Sequence, residues 1–472
     1  MLASIAVVES SSRLGLLRRF PSFRSLFLAT AGSSFGTYLA AIALTVTIYD
    51  KTQSGVWVAE LLIVDFLPIV LIGLLLGPLF DRLSRRKLMI ASDLVRCGVF
   101  AALPFVDRPA GIVALAGVAG IATGFFTPAV YAGLPNLVPE EELTNANSLL
   151  QTIETLAWMI GPILGGLLVT AWGRTVPFAV NAVTFLVSAF LVSRIPEDRL
   201  RSAEQLTRGY WRDVADGYRL VVTSRPLRTV LIVWNIAMLG TAAVNVAEIE
   251  FAKSTLGAGN LGYAAFIAGS GAGLVLGSFL SAPALGQVGL RRHYVGSIVL
   301  MAVGWGAAGL SGSIWLAVPF VIGGAAGNGA AVVCNRLFVQ RGAPDRYRGR
   351  ALATLMSSTY AVMGVGMAAA GVLTDAVGAR AVWIGAGCLF LLAALVALVM
   401  TRWLPVVSAE EQEAIASSAE SAAAALSNGH DRKPHEDRDA NGKRAGGLER
   451  IATLLEEIEA RRERESRRTP SR

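Results

Sequence analysis

GPLFDRLSRRK, residues 77–87, joins two long apolar runs in the first quarter of the chain. A short basic loop between apolar runs is typical of the cytoplasmic side of a membrane protein, where lysine and arginine are enriched. That pattern explains the three bases at the end of the loop, Arg85, Arg86 and Lys87. It does not explain why Gly77, Asp81 and Arg82 occur together, so the loop carries a second and more specific signal.

The composition on both sides of this loop is that of a membrane protein. Of the 472 residues, 54% are hydrophobic and 16% are charged, and the mean hydropathy is +0.55. Soluble domains carry roughly 25% charged residues. Apolar runs of about 18–25 residues recur along the chain, each long enough to cross a hydrocarbon core of roughly 30 Å. The sequence therefore predicts an all-α membrane protein with twelve transmembrane helices, at 26–49, 56–80, 88–106, 109–131, 148–172, 175–195, 229–252, 260–284, 294–312, 314–335, 351–375 and 381–403.

The basic residues are distributed unevenly between the two sides that these spans create. One side contains Arg13, Arg18, Arg19 and Arg24, the bases of 82–87, those of 194–228, and those of 291–292 and 341–350. The loops on the opposite side contain Lys51, Arg108, Arg174, Lys253 and Arg380. Because lysine and arginine accumulate on the cytoplasmic side, this pattern predicts that both termini are cytoplasmic. It also accounts for the net charge of +8 without a nucleic-acid partner.

The two halves of the chain repeat each other at a constant offset of 205 residues. The matched pairs are Pro139 with Pro344, Gly166 with Gly371, and Gly173 with Gly378. Six spans precede a basic segment and six follow it, so the halves run parallel and form two pseudo-symmetric six-helix bundles with a cavity between them. We predict a cytoplasmic N-terminus at 1–25, bundles at 26–195 and 229–405, a cytoplasmic linker at 196–228 and a cytoplasmic tail at 406–472.

The loop at 77–87 resembles the G-x-L-x-D-R-x-G-R-x-x motif of the major facilitator superfamily. Ser84 replaces the usual glycine, and a second copy at 282–292 has Gly286 and Gln287 in place of the Asp–Arg pair. The resemblance implies the major facilitator fold. It also implies that Asp81 interacts with the amino end of span eleven and holds the cytoplasmic side shut in the outward-open state, an interaction that the helix dipole favours. The residues implied for this conformational latch are Gly77, Asp81, Arg82, Arg85 and Arg86.

A second motif lies in the fifth predicted span and consists of Gly161, Pro162, Gly165 and Gly166 with two apolar residues between them. Small residues let two helices approach closely, and a proline bends a helix because it lacks a backbone donor. A kinked packing helix would explain these features on its own. The pattern also resembles the G-P-x-x-G-G motif of the antiporter branches of the superfamily, which favours export against an ion gradient.

Over about residues 20–405 the chain resembles the bacterial macrolide, siderophore and multidrug exporters of that superfamily. The resemblance rests on FFTPAVYAGLPNLVPEEELTNANSL at 125–149 and PDRYRGR at 344–350. It implies a drug:proton antiporter in the bacterial plasma (inner) membrane. The chain departs from the subgroup at Thr37, where an aspartate is common, and at Val130, where an arginine is common. The coupling residues of that subgroup therefore do not transfer to this chain.

Acidic residues inside the predicted spans outnumber bases, and ionisable residues at membrane depth are costly and usually functional. The candidates for binding a proton or the substrate are Asp65, Glu60, Glu154, Glu248, Tyr38 and Phe126. Glu60 and Glu248 lie near the outer ends of spans, so side chains that reach outward to water are an alternative interpretation. Asp93 and Arg96 stand three residues apart on one helix and form a predicted structural pair.

Asp65 is the deepest of the acids and our candidate for the coupling proton. It lies nine residues after Val56, where span two enters the membrane, which corresponds to roughly 14 Å of helix. That depth is close to half of a hydrocarbon core of roughly 30 Å. Pro68 leaves the carbonyl of Val64 without its helical donor, which helps to hydrate the position. The alternative is a neutral or hydrogen-bonded Asp65 in a wet outer vestibule, without a coupling role.

Nothing in the spans predicts an enzyme, a cofactor or a metal site. The histidines lie outside the spans, and Cys97, Cys334 and Cys388 have neither metal-ligand nor disulfide spacing. The chain has no P-loop lysine motif, which argues against an ATP-driven pump. We expect a monomer whose partners are a small-molecule substrate, protons and the lipid bilayer. The tail at 406–472 is predicted to be mostly disordered, with a terminal amphipathic helix that is able to bind a cytoplasmic partner.

These features predict a secondary active transporter that exports a small amphipathic compound, a drug or natural product, by proton antiport with alternating access. Two alternatives within the same fold are a siderophore exporter and a lysophospholipid flippase. An alternative from another class is a non-transporting membrane receptor, whose functional end would be the tail at 406–472.

Overall fold

The structure is a computed structural model that describes residues 15–75, 84–200, 218–343 and 345–402. These residues form twelve long helices. They are α1 (Pro21–Thr52), α2 (Gly55–Leu75), α3 (Arg85–Ala102), α4 (Pro109–Gly133), α5 (Leu143–Trp172), α6 (Thr175–Ser193), α7 (Arg225–Glu250), α8 (Gly259–Val288), α9 (Leu290–Leu310), α10 (Ile314–Gly342), α11 (Asp345–Val377) and α12 (Ala379–Thr401).

Short irregular turns complete the connections between these helices. Turns of 3₁₀ helix occupy Leu103–Phe105, Leu134–Asn136, Glu140–Glu142 and Glu197–Leu200, and a π-helical turn at Phe251–Thr255 extends α7. Eleven of the described helical segments are long and apolar enough to cross a membrane. The remaining long helix, α2, leads into residues 76–83, which lie outside the described part of the chain. The predicted all-α membrane fold is confirmed.

The helices pack as two related sets. In the first half α1 packs on α5 and α6, and α3 packs on α4 and α6. In the second half the corresponding pairs are α7 with α11 and α12, and α9 with α10 and α12. Between the halves the main contacts are α2 with α11 and α5 with α8. Because α8 and α11 are the repeats of α2 and α5, these two contacts are equivalent by pseudo-symmetry.

Glycines set the closest helix approach in the second half, where α8 crosses α10. A Cβ atom on Gly273 would overlap the carbonyl oxygen of Ile322, and one on Gly277 would overlap that of Ala326. Neither position leaves room for a real side chain, so the two backbones touch directly. Small residues allow such close crossings between membrane helices.

The tryptophans at the predicted outer ends of spans divide into two groups. Trp172 and Trp315 are exposed, as expected for side chains at a membrane–water interface. Trp383 also lies near an outer span end, but its side chain is fully buried. The Trp383 ring stacks on Phe251 with centroids 4.5 Å apart and also packs against Phe266. The π-helical turn after α7 therefore covers a residue that position alone would leave at the surface.

We name the two ends of the molecule by the predicted orientation. The outer end is the one where α1 connects to α2, α7 to α8, and α11 to α12. The bases of the predicted outer loops meet there, since Lys51 and Arg174 both contact the carboxylate of Asp107, at 2.9 Å and 3.5 Å. The cytoplasmic end is the opposite one, where α2 connects to α3.

Candidate transport site

Two carboxylates and two phenols from the first half lie close together. Tyr131 of α4 donates a 2.7 Å hydrogen bond from its hydroxyl to Glu154 of α5. The phenol of Tyr38, from α1, lies close enough to interact electrostatically with both Glu154 and Asp65. Four helices of the first half, α1, α2, α4 and α5, thus bring these polar groups close together.

Asp65 lies in the middle part of α2 and is exposed. It lies ten residues after Gly55, where α2 begins, which corresponds to about 15 Å of helix. Its side chain is exposed and interacts electrostatically with the phenol of Tyr38. We infer that it faces a cavity between the helices that water enters. The structure therefore places Asp65 where the sequence predicted, near mid-depth, and in contact with that cavity.

The second half contributes to the same cavity through α11. Tyr360 interacts electrostatically with Tyr38, and its ring lies 6.2 Å from that of Phe66, measured between centroids. Gly364, one turn further along α11, faces the end of the same Phe66 ring. The cluster is therefore shared between the two halves of the fold, the arrangement found at the midplane site of secondary transporters.

The electrostatic character of this cluster is acidic. The groups that act on Tyr38 are the two carboxylates and another phenol, with no basic side chain among the described residues. Neither Asp65 nor Glu154 forms an ion pair within the part of the chain that the structure describes. Carboxylates beside aromatic rings attract cations and accept hydrogen bonds from neutral compounds, whereas they repel anions.

The two halves are joined at the outer end by side chains from α2 and α11. Asp375, in the last turn of α11, accepts hydrogen bonds from the Ser54 hydroxyl at 2.6 Å and from the Gly55 backbone N–H at 2.5 Å. One turn deeper, the Cβ of Ala59 packs against Gly371. The carboxylate of Asp375 therefore caps the first turn of α2, where the helix dipole favours a negative charge.

A second set of contacts closes the outer end between α1 and the turn that follows α7. The hydroxyls of Tyr49 and Ser254 are 2.6 Å apart, and Lys253 forms an ion pair with Asp50. These contacts also join the first half to the second. With the Asp375 cap they close the outer end, and the cavity that holds Asp65 lies on the cytoplasmic side of this closure.

Comparison with known proteins agrees with this fold. A family model described as a transmembrane secretion effector matches residues 12–432. The chain belongs to the major facilitator superfamily. Its members are transporters, so this chain is a membrane transporter and not an enzyme.

Relatives of this transporter include efflux proteins. It is 26% identical over 401 residues to the multidrug efflux pump Tap of Mycolicibacterium fortuitum, covering 82% of this chain and 97% of that protein. It is also 26% identical over 232 residues to macrolide efflux protein A of Streptococcus pyogenes, covering 47% of this chain and 56% of that protein. The crystal structure of the nucleoside transporter NupG shares the fold, with a TM-score of 0.65 and 12% identity over 80% of this chain and 100% of that one.

The glycine motif of α5 joins the transporter's helices in two directions. A Cβ atom on Gly161 would lie 2.7 Å from that of Tyr38, and one on Gly165 would overlap the carbonyl oxygen of Leu39, so α5 lies directly on α1. A Cβ on Gly166 would overlap that of Ala264 on α8. Gly166 thus sits at the contact between the two halves, and Pro162 is buried within the same stretch.

Part of the predicted cytoplasmic latch lies outside the described residues, including Gly77, Asp81 and Arg82. The other two residues hold helix ends together within the first half. Arg85 donates a 2.8 Å hydrogen bond to the carbonyl of Ala132 at the end of α4, and Arg86 donates to that of Ser193 at the end of α6. Cations are favoured at helix C-termini, where carbonyl groups lack helical partners.

Glu197, which the sequence did not single out, ties the same loop to the end of α6. It accepts a 3.2 Å hydrogen bond from Ser84, the N-cap of α3, and it lies 3.5 Å from the ammonium of Lys87 and 3.9 Å from Arg86. The positive charge of Lys87 is the main cause that lowers the pKa of the Glu197 carboxyl. Glu197, which follows α6, therefore holds the end of the latch motif that leads into α3.

The predicted Asp93–Arg96 pair is buried inside the first half. Arg96 donates a 2.5 Å hydrogen bond to Asp93, and Ser188 of α6 donates a 2.7 Å hydrogen bond to the other carboxylate oxygen. The guanidinium lies over the rings of Phe126 and Phe185, 4.3 Å and 4.2 Å from their centroids. The pair thus joins α3 to α6, which supports a structural role.

Phe126 was expected to line the substrate cavity, and the structure places it elsewhere. Its side chain is buried and carries the Arg96 guanidinium on its face. A buried cation without enough hydrogen-bond acceptors gains most from an aromatic ring, so Phe126 is part of the Asp93–Arg96 packing. The rings that the first half contributes to the cavity include Phe66 of α2 and Tyr38 of α1.

The two acids predicted near outer helix ends have different environments. Glu60 is exposed, which agrees with a side chain that reaches water. It precedes Asp65 by five residues, a rotation of about 140° around α2, so it points away from the cavity. Glu248 is buried in the last turn of α7 instead of reaching outward.

Tyr360, Tyr263 and Asp375 were not identified as site residues from the sequence. A signal for Asp375 nevertheless exists. It stands in the last turn of α11, where an acid is unfavourable because the helix dipole is negative there. An acid in that place is a sign of a partner from another helix, here the N-terminus of α2. For a metal, the described residues offer no group of three or more His, Cys, Asp or Glu side chains.

Proposed function

We propose that this transporter exports a small amphipathic compound, neutral or cationic, from the cytoplasm in exchange for protons. The observation that carries the proposal is the acidic cluster of Asp65 and Glu154 around Tyr38, which has no basic partner among the described residues and lies on a cavity shared by both halves. An acidic cavity of this kind favours cationic and neutral compounds over anionic ones.

The aromatic rings around the cluster suit an amphipathic compound. Phe66 and Tyr360 offer ring faces from the two halves, and Tyr38 adds a third aromatic side chain with a hydroxyl. Ring faces bind apolar groups and attract cations electrostatically. A compound with an apolar body and a protonated amine would therefore contact both the rings and the carboxylates.

Antiport follows if one carboxylate binds either a proton or the substrate, but not both. We assign this role to Asp65, because the cavity gives it water with which to exchange a proton. A cationic compound is attracted by the ionised form of Asp65 and loses that attraction when the carboxylate is protonated. Protonation therefore weakens substrate binding, and loss of the proton strengthens it. The two ligands then favour different states through their differential affinities, which is the requirement for coupling.

The direction of transport is supported by two independent features. A relative that aligns with 82% of the chain is named a multidrug efflux pump. The Gly161–Gly166 motif, which resembles that of antiporters, lies where α5 meets both α1 and α8. A siderophore or a lysophospholipid carries anionic groups, which the acidic cluster disfavours.

The proposal is tested by an accumulation and toxicity screen in cells that express the protein, with and without a protonophore. Expression should lower the accumulation of at least one amphipathic amine, and the protonophore should abolish that difference from cells with an empty vector. Export that persists at its full rate after collapse of the proton gradient would contradict proton coupling. Protection against anionic siderophores alone would favour the alternative substrate class.

A receptor that does not transport would behave differently when the tail is removed. Deletion of 406–472 should leave most of the export activity, since the cavity and the outer closure lie within residues 15–402. Complete loss of the cellular phenotype, in a protein that still inserts at its normal level, would favour the receptor.

A further inference from the structure

Glu248 is a buried carboxyl group at the outer closure, away from the acidic cluster. It lies in the last turn of α7, and only 7% of its surface is exposed. Its Oε1 atom is buried and has no hydrogen-bond partner. Nothing in the candidate transport site involves this side chain, although it stands where the two halves of the fold meet.

The groups around Glu248 come from both halves. Tyr263 of α8 interacts with it electrostatically, and the Tyr263 hydroxyl lies beside Thr45 of α1. The Tyr49–Ser254 contact closes the outer end four residues further along α1. Glu248 therefore lies close to the contacts between α1 and the second half that seal the outer end.

The charged groups on the neighbouring elements are already engaged. Lys253, on the π-helical turn, pairs with Asp50 of α1, and Arg380 of α12 donates to the carbonyls of Gly309 and Ser311. Asp375 of α11 caps α2. Among the described residues no cation offsets the burial of Glu248.

An isolated carboxylate without a partner is strongly disfavoured in a buried site, and such a group becomes neutral instead. A neutral carboxyl group carries a proton. The closed outer end that the structure shows is therefore compatible with Glu248 only when the side chain is protonated.

We propose that Glu248 binds a proton from the outer side whenever the outer end closes, and releases it to water when that end opens. This inference goes beyond the proposed export, because Glu248 takes its proton from the outer side and returns it there, so it makes outer closure depend on pH without carrying a proton across the membrane. It differs from the role of Asp65, whose carboxyl group faces water in the closed state that the structure shows.

Protonation of Glu248 makes closure of the outer end depend on the outer pH. The closed state binds one proton more than the open state at Glu248, so acid outside favours closure and alkali outside favours opening. For a single linked proton the ratio of the two states changes by up to about tenfold per pH unit. An exporter that works against an acidic exterior would use this step to return from the outward-open state.

The experiment measures the distance across the outer end by electron–electron double resonance. Spin labels go on cysteines at Phe105 of the first half and Gly312 of the second, which are both exposed and lie in outer connections. The natural Cys97, Cys334 and Cys388 are replaced by alanine beforehand. The full-length protein is measured in lipid nanodiscs between about pH 5 and pH 9.

We expect the long-distance population to grow with pH in the otherwise unchanged protein, by up to about tenfold per pH unit. Glu248→Gln, which is neutral at every pH, should remove that growth and hold the short distance. Glu248→Asp should restore a pH response. Glu60→Gln serves as the matched control, because Glu60 is an exposed outer acid, and it should titrate like the unchanged protein.

A Glu248→Gln protein that titrates with the same midpoint and slope as the unchanged protein would overturn the proposal. So would a pH response that runs in the opposite direction. The readout needs no substrate and no gradient, so it is independent of the export assay. Failed export with an intact Glu248-dependent response would refute the proposed function and leave this inference standing.

Discussion

The hydroxyl of Ser54 donates a 2.6 Å hydrogen bond to the carboxylate of Asp375, which joins the start of α2 to the end of α11. The backbone N–H of Gly55 donates to the same carboxylate. Loss of a capping side chain costs about 1 kcal/mol, and loss of its charge at a helix N-terminus costs up to about 1 kcal/mol more. Because asparagine keeps a capping oxygen and loses only the charge, we expect Asp375→Asn to lower the population of the closed outer end by up to about fivefold relative to the open one.

Thiol labelling of Ala59→Cys measures this shift at constant pH, because Ala59 is buried at the α2–α11 contact. The label should react faster in Asp375→Asn. Asp107→Asn is the control, since Asp107 is an exposed outer acid whose recorded partners, Lys51 and Arg174, belong to the same half. Equal labelling rates in the two variants would exclude a closing role for Asp375.

The cytoplasmic latch predicts a shift in the opposite direction. Asp81→Asn keeps the shape of the side chain and removes its charge, so the outward-open state loses stability and the inward-open population rises. Transport should fall, while membrane insertion and folding remain. Labelling of a cysteine in the cytoplasmic cavity reports this shift, and an unchanged rate would show that Asp81 has no latch function here.

The Asp93–Arg96 pair should matter for stability more than for transport. Asp93→Ala leaves the buried Arg96 without its charged partner, and such a loss is destabilising by about 3–5 kcal/mol. The double change Asp93→Leu with Arg96→Met removes both charges and should recover most of that loss. Thermal unfolding in detergent compares the variants. A single variant as stable as the unchanged protein would contradict the structural role.

Gly165 should be intolerant of even a methyl group. Gly165→Ala would drive its Cβ into the carbonyl of Leu39, so α5 and α1 have to separate and export should fall severely. Gly98→Ala is the matched control, because nothing lies within 4 Å of a Cβ at that helical glycine in α3. Initial export rates, normalised to the amount of folded protein, decide the matter. Normal export by Gly165→Ala would mean that the α1–α5 contact does not limit function.

The sequence predicted the helices well because their apolar runs and basic loops depend on local composition alone. It also placed Asp65 at mid-depth, since depth follows from counting residues along one helix. It could not predict the Ser54–Asp375 bond, because that bond joins residues 321 positions apart through the packing of α2 on α11.

Three further differences have the same physical origin. Phe126 was assigned to a cavity from its position along a span, but its ring packs against Arg96 of a neighbouring helix. Trp383, near an outer span end, likewise packs its ring against Phe251. For Glu248 a side chain that reaches water was one interpretation, yet it is buried near Tyr263 of α8. The face of a helix that a neighbour covers depends on how the bundle assembles. The spacing of apolar residues along the sequence does not show it.

The role of Asp65 as the carrier of the coupling proton is tested by comparing counterflow with uphill export in Asp65→Asn. A coupling residue that can no longer bind and release a proton should still permit exchange of substrate across the membrane, but it should abolish export against a gradient. Glu60→Gln, an acid change on the same helix, should preserve both activities. We expect exchange without uphill export in Asp65→Asn. Uphill export at the unchanged rate in that variant would contradict it.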